Sequence, residues 1–202
     1  RVGIRNRRTV MSLDYLKNTK NTDPSLSGKN SDYSNAQSGA HAAKMAMDKA
    51  GLKAEDIGMV IAGGCSPQFS IPAEACTIAN ELGIKAPAFD LNSACPTFAF
   101  HLNFLNSMLP EAMPKYTLIV CPENNTRCMD YSDRRAAVLF GDASSAAIVS
   151  KEVPSKMKVV ETTVSSDPSG QDKIVIPVME HFVQDGPKVQ MFAIRKTLST
   201  LK

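Results

Sequence analysis

Phe89-Asp90-Leu91-Asn92-Ser93-Ala94-Cys95-Pro96-Thr97-Phe98 reads as a short strand, a tight turn of small residues and the opening of a helix, with a cysteine at the junction. The strand is Ala88 to Leu91, and the helix runs from Thr97 to Leu109 with Pro96 at its first-turn position, where a missing N–H does no harm. Working outward, the apolar run 57–62 (IGMVIA) ends in Gly63-Gly64, and Thr117 to Cys121 (TLIVC) is equally apolar, as strands buried on both faces should be. Between them Pro72 opens a helix to Leu82, ended by Gly83, and Ala40, Ala43, Met47 and Ala50 mark a helix over 36–50, ended by Gly51. Val138 to Phe140, Ala146 to Ser150 and the alternating Val159 to Ser165 add three expected strands, and 188–202 has helical spacing. Strands alternating with helices predict an α/β fold with a largely parallel sheet. The polar stretch from Lys17 to Ser38, rich in Asn, Ser, Asp and Gly, reads as a loop.

The chain has 202 residues, 43% of them apolar and 21% charged, enough to bury a core. No apolar run approaches the ~20 residues of a membrane helix. The five cysteines form no C-x-x-C pair, which argues against a disulfide framework or a zinc site and for a reducing cytoplasm. No leader is visible before Arg1, so a trimmed start is expected. The net charge is +3, and the positives cluster early: Arg1, Arg5, Arg7, Arg8, Lys17 and Lys20 against Asp14. With no Trp and 6% aromatics, that basic start suits a local anion site better than a nucleic-acid face with stacking platforms.

Cys95 is the residue whose position suggests chemistry. A thiol at a helix amino end sees the positive end of the macrodipole and unpaired N–H groups, which favour thiolate. Spacing alone leaves two readings open, a nucleophile or a small buried hydrophobe. Cys65, Cys76, Cys121 and Cys128 have no such context and are expected to fill core.

In order along the chain stand Arg1-Val2-Gly3-Ile4-Arg5-Asn6-Arg7, Ala50-Gly51-Leu52 with Asp56-Ile57, the stretch 89–98, and Asp133-Arg134 followed by Leu139-Phe140-Gly141-Asp142. Together they resemble the thiolase-like condensing enzymes, most closely ketoacyl-acyl carrier protein synthase III. The resemblance implies a layered αβαβα fold, present only in part. Residues 1–150 would be the half carrying the nucleophile, without its first strand, and 151–202 the first strand and helix of the second half. A family sheet so reduced would lack a central strand and expose apolar edges.

The resemblance also implies that Cys95 accepts an acyl group from a coenzyme A or carrier-protein thioester, with its own N–H in the oxyanion hole. Decarboxylative condensation with a malonyl thioester would follow. No cofactor or metal is implied beyond the thioester substrate. Arg1 and Arg134 match arginines that bind coenzyme A, since guanidinium both stacks on adenine and pairs with phosphate; the alternative for each is a surface salt bridge. Ile71 matches an apolar residue that reaches a dimer partner's acyl pocket, although an ordinary loop hydrophobe would look the same. Phe98 closes the nucleophile motif and is expected beside the substrate. Implied partners are acyl-CoA or acyl carrier protein and a second condensing-enzyme chain, in a homodimer or heterodimer, with no nucleic acid.

Three departures qualify the match. Pro96-Thr97 replace the family's Ser-Gly or Ala-Gly, Ala143-Ser144-Ser145 replace a glycine-rich run, and the 17–38 stretch is longer than usual. The histidine and asparagine that assist condensation are missing from these residues: His101 lies further along the Cys95 helix on another face and is expected to be packed or at the surface, His181 is a weak candidate for the substrate tunnel, and His41 is expected to be exposed. Two alternatives therefore stay open, a non-catalytic scaffold subunit of a condensing-enzyme complex, or a related acyltransferase that makes an ester or amide.

Overall fold

In the computed structural model, residues 3–200 are described, so Arg1 lies outside them. Helix α1 (Leu13–Thr19) is capped by Ser12, whose hydroxyl accepts from the Tyr15 N–H, and stops at Lys20 in a left-handed conformation. Pro24–Asn30 forms a short 3-10 helix behind Asp23. Helix α2 (Asn35–Ala50) opens with a capping box between Ser34 and Gln37 and ends at Gly51, whose φ of 69° suits glycine.

The 17–38 stretch is therefore not the loop its composition suggests. Its polar side chains supply the caps, and Asn21, fully buried, donates its amide to the carbonyls of Arg127 (3.0 Å) and Met129 (2.9 Å). Burial here is made tolerable by hydrogen bonding rather than by apolar content.

Strand β1 (Met59–Ala62) is buried throughout. Helix α3 (Glu74–Leu82) follows, beginning two residues after Pro72 because the Asp90 carboxylate accepts from the Glu74 and Ala75 N–H groups, each at 2.8 Å. Then come β2 (Ala88–Asp90), α4 (Thr97–Ser107), β3 (Thr117–Glu123) and β4 (Ala143–Val149). The sheet order is β2-β1-β3-β4, with β1, β2 and β3 parallel and β4 antiparallel. Because β1 bonds directly to β3, the sheet is continuous where a missing central strand was expected; among the described residues its edges are β2 and β4.

Period-two alternation divides the core into two layers. Val60, Ala62, Leu118 and Val120 face α2 and α3, where they meet Ala43, Met47, Ala75 and Ile78. Met59, Ile61 and Ile119 face α4 and meet Leu105. The result is a sheet between helical layers.

Beyond Val149 the chain is sparser. A two-residue pair, β5 (Ile174–Val175) with β6 (Val183–Gln184), precedes α5 (Gly186–Thr200). Two expected strands are absent. Val138 to Phe140 lies in successive turns, in which the Ala136, Ala137 and Leu139 N–H groups bond carbonyls three or four residues back. Val159 to Ser165 alternates correctly but meets no sheet edge, and Val160 is 94% exposed. The tail is tied back by Phe182, buried against Phe140 at 5.0 Å between ring centroids, with its N–H donated to the Cys128 carbonyl.

Candidate active site

Three parallel strands bring their carboxyl ends to one side of the sheet, where α/β folds place their chemistry. Cys65 follows β1, Cys95 follows β2, and Glu123 closes β3. Two glycines let these ends approach. A Cβ on Gly63 would lie 2.8 Å from the Leu91 carbonyl oxygen and 3.0 Å from Thr97 Cγ2, and one on Gly64 would lie 3.0 Å from Glu123 Oε1. Gly63 thus seats the Cys95 turn against β1.

That turn is wired by its own short side chains. Asn92 Oδ1 accepts from the Ala94 N–H at 2.8 Å, Thr97 Oγ1 accepts from the Ser93 N–H at 2.9 Å, and the Thr97 hydroxyl donates to the Ala94 carbonyl at 2.6 Å. Ala94 is held at a φ of 50°, a conformation side-chain-bearing residues seldom adopt. Cys95 follows it and is exposed; Pro96 is the N-cap and α4 starts at Thr97. The thiol therefore stands just before the helix rather than in its first turn.

Cys95 Sγ is 3.7 Å from Cys65 Sγ. The Cys65 N–H donates to Glu123 Oε2 at 3.1 Å, and the Asn125 amide donates to the same oxygen at 3.0 Å. The hydrogen bond from Cys65 brings the Cys95 thiol down to about 6, partial burial and the Glu123 charge oppose it, and the backbone N–H of Cys95 itself assists. Cys65 is pushed up by the same hydrogen bond, by burial and by Glu123. Reading Cys65 as core filling is thus corrected: it is half-buried and faces Cys95. Of the others, Cys121 is buried, Cys128 half-buried and Cys76 exposed, which also removes Cys76 from the core.

The remaining expected residues are scattered. Ile71 is 86% exposed on the loop that also carries Cys65, before a cis peptide bond to Pro72. Phe98 is half-buried and packs into the α4-side core with Met59 and Ile61. Arg134 is exposed, and it is Arg135 that pairs with Asp133, at 3.1 Å, which lowers the Asp133 carboxyl. His101 is fully buried, with Nε2 on the Leu91 carbonyl at 2.8 Å; His181 Nε2 meets the Asn21 carbonyl at 2.7 Å; and His41 is exposed on α2. Two open grooves, one lined by Gln68, Pro72 and Cys76 and the other by Arg8, His41 and Asn124, do not include Cys95. Among the described residues no group of three or more His, Cys, Asp or Glu is placed to hold a metal ion, and no helix is long and apolar enough to cross a membrane.

Cys65 and Glu123 are the site residues missed from sequence. The sequence offered only a partial signal, a cysteine directly after Gly63-Gly64 at the end of a run that reads as a buried strand; the strand pairing that brings it to Cys95 is not written there.

Residues 89–168 match the family of 3-oxoacyl-[acyl-carrier-protein (ACP)] synthase III. A beta-ketoacyl-[acyl-carrier-protein] synthase III of Sulfurovum sp. is 36% identical over 141 residues, covering 69% of this chain and 42% of the relative. One from Oceanobacillus iheyensis is 32% identical over 157 residues, covering 77% and 50%. Among solved structures, the 3-oxoacyl-[acyl-carrier-protein] synthase III of Aquifex aeolicus VF5 superposes with a TM-score of 0.70 at 26% identity, over 78% of this chain and 51% of that one. The chain spans about half the length of the curated relatives it matches.

Proposed function

From the chain's place among the 3-oxoacyl-[acyl-carrier-protein] synthase III relatives, whose thiolase-like fold it carries in part, we propose that it is an acyltransferase in which Cys95 is acylated. The Cys95 thiolate attacks the carbonyl carbon of an acyl-CoA or acyl-carrier-protein thioester. The carbonyl electrons move onto oxygen, return, and expel the carrier's thiolate, leaving the acyl group on Cys95. The backbone N–H of Cys95 donates to the transient oxyanion. In the whole protein a malonyl thioester then loses CO₂ and its carbanion takes the acyl group, giving a 3-oxoacyl product.

One observation carries this reading: an exposed thiol, held low in its titration, at the converging carboxyl ends of parallel strands and inside the region that matches the family. On the same reading Arg1 and Arg134 bind coenzyme A, Ile71 and Phe98 contact the acyl chain, the protein works as a dimer of condensing-enzyme chains in the cytoplasm, and residues 151–202 begin the fold's second half after a first half ending at 150. A second reading, an ester- or amide-forming acyltransferase, is supported by the turn after the nucleophile, where Pro96 is the N-cap of α4 and the Thr97 hydroxyl holds the Ala94 carbonyl.

Incubating the chain with a series of acyl-CoAs and mapping peptides by mass spectrometry tests acyl capture. An acyl adduct on Cys95 with release of free CoA is expected. No adduct from any acyl-CoA, while iodoacetamide labels the same cysteine, would overturn the assignment. Release of CO₂ from a malonyl thioester by the full-length protein separates ketone formation from ester or amide formation.

A further inference from the structure

The proposed chemistry needs a thiolate at Cys95, and the structure sets a second sulfur, that of Cys65, directly beside it. We infer that Cys65 is a positioning residue for Cys95: its S–H donates to the Cys95 sulfur, keeping the pair's proton on Cys65 and the nucleophile's lone pair directed outward. This deepens the acyl-capture reading and rests on it for its functional meaning.

The geometry gives the direction of the bond. The sulfurs are 3.7 Å apart, within reach of a thiol–thiolate hydrogen bond, and distance alone does not say which one donates. Their surroundings do. Glu123 Oε2 accepts from the Cys65 backbone N–H at 3.1 Å, so a negative charge on Cys65 would stand beside a carboxylate hydrogen-bonded to its own residue, a contact Cys95 does not make. Cys65 is also the more enclosed of the two, and a charge is more costly where water is scarcer. Cys95 is exposed, and α4 begins two residues on. Every one of these differences puts the proton on Cys65.

The pair is also held in place. Gly64 permits Glu123 to approach, the Asn125 amide fixes the carboxylate oxygen that holds the Cys65 N–H, and Gly63 presses the Cys95 turn against β1. Other titratable groups nearby are turned away: Asp90 caps α3 and His101 bonds the Leu91 carbonyl. Glu123 is the charged group facing the pair. It works against a second thiolate, so the two sulfurs ionise one at a time.

The test is the pH profile of Cys95 alkylation by iodoacetamide in the full chain, read peptide by peptide so that the other cysteines do not contribute. In the unaltered protein the Cys95 rate should rise through a midpoint near 6. In Cys65→Ala the midpoint should move toward the ordinary thiol range, and the rate at pH 7 should fall about twofold to fivefold, most of the loss of thiolate being offset by greater intrinsic nucleophilicity. Cys65→Ser, which keeps a donor, should recover part of the shift.

An unchanged midpoint in Cys65→Ala overturns the inference. If that variant does not fold, Cys65→Ser and the unaltered protein still decide: a midpoint for the unaltered protein in the ordinary thiol range overturns it as well. The two claims fail separately. An acyl adduct with no dependence on Cys65 sinks only the positioning role, and a Cys65-dependent profile with no acyl adduct sinks only acyl capture.

Discussion

Up to Val149 the molecule buries a network of polar side chains; after it, several apolar side chains find nothing to pack against. Asn35, Glu74, Asn124 and Arg127 are all buried near the sheet's carboxyl end. They are held there by one another: the Asn35 amide donates to the Ser66 carbonyl at 2.9 Å and to Glu74, the Asn124 amide donates to Asn35 Oδ1 at 2.9 Å, and the Arg127 guanidinium donates to the Ser66 carbonyl at 2.9 Å. Beyond Val149, Met157, Val160 and Val178 stand in solvent. Burial follows the availability of a partner rather than the character of the side chain. A satisfied asparagine can be core, and a valine with no sheet to join cannot.

The sharpest way to break this contrast is at the site. Cys95→Ala should abolish acyl-adduct formation, read by intact mass, while Val160→Ser leaves it unchanged; an adduct persisting in Cys95→Ala would move the chemistry elsewhere. Next in size is Asn35→Ala, which takes one hydrogen bond each from Glu74, Asn124 and the Ser66 carbonyl at once. It should destabilise the fold by about 2–4 kcal/mol in urea unfolding, more than truncation of any exposed valine in the tail. Gly63→Ala should cost about 1–3 kcal/mol, because the new methyl meets backbone on the Cys95 turn rather than a side chain that can swing away. It should also slow alkylation of Cys95, a second reading that separates displacement of the turn from general loosening. The smallest effect belongs to the tail: Val160→Ser should stay within about 0.5 kcal/mol, and amides of residues 151–165 should exchange faster than those of β1 and β3 by hydrogen-exchange mass spectrometry.

Much of the body was legible because its signals are local. The runs at 59–62 and 117–121 are too apolar for any place but a sheet covered on both faces, and Gly51 and Gly83 stop their helices where the left-handed conformation is needed. Cys95 was legible because a strand, small residues and a helix meet there. What failed depended on distant partners. The alternation at 159–165 is a genuine strand signal with no neighbour to satisfy it, and the polar 17–38 stretch is ordered through carbonyls more than a hundred positions away, at Arg127 and Met129. Cys65 was overlooked for the same reason. Nothing in its immediate neighbours predicts a second sulfur at 3.7 Å; only the parallel pairing of β1 with β2 brings the two strand ends together.

The reversed direction of β4 bears on how the molecule assembles. The ladder from Thr117–Val149 to Glu123–Ala143 closes through the single excursion 124–142, whereas joining β1 to β3 must first enclose two helices and β2. Loop-closure entropy grows with the length enclosed, so the β3–β4 hairpin is the natural early nucleus and the parallel pairs condense onto it. On that order of events the two sulfurs meet late, and the altered reactivity of Cys95 reports completion of the fold rather than its beginning.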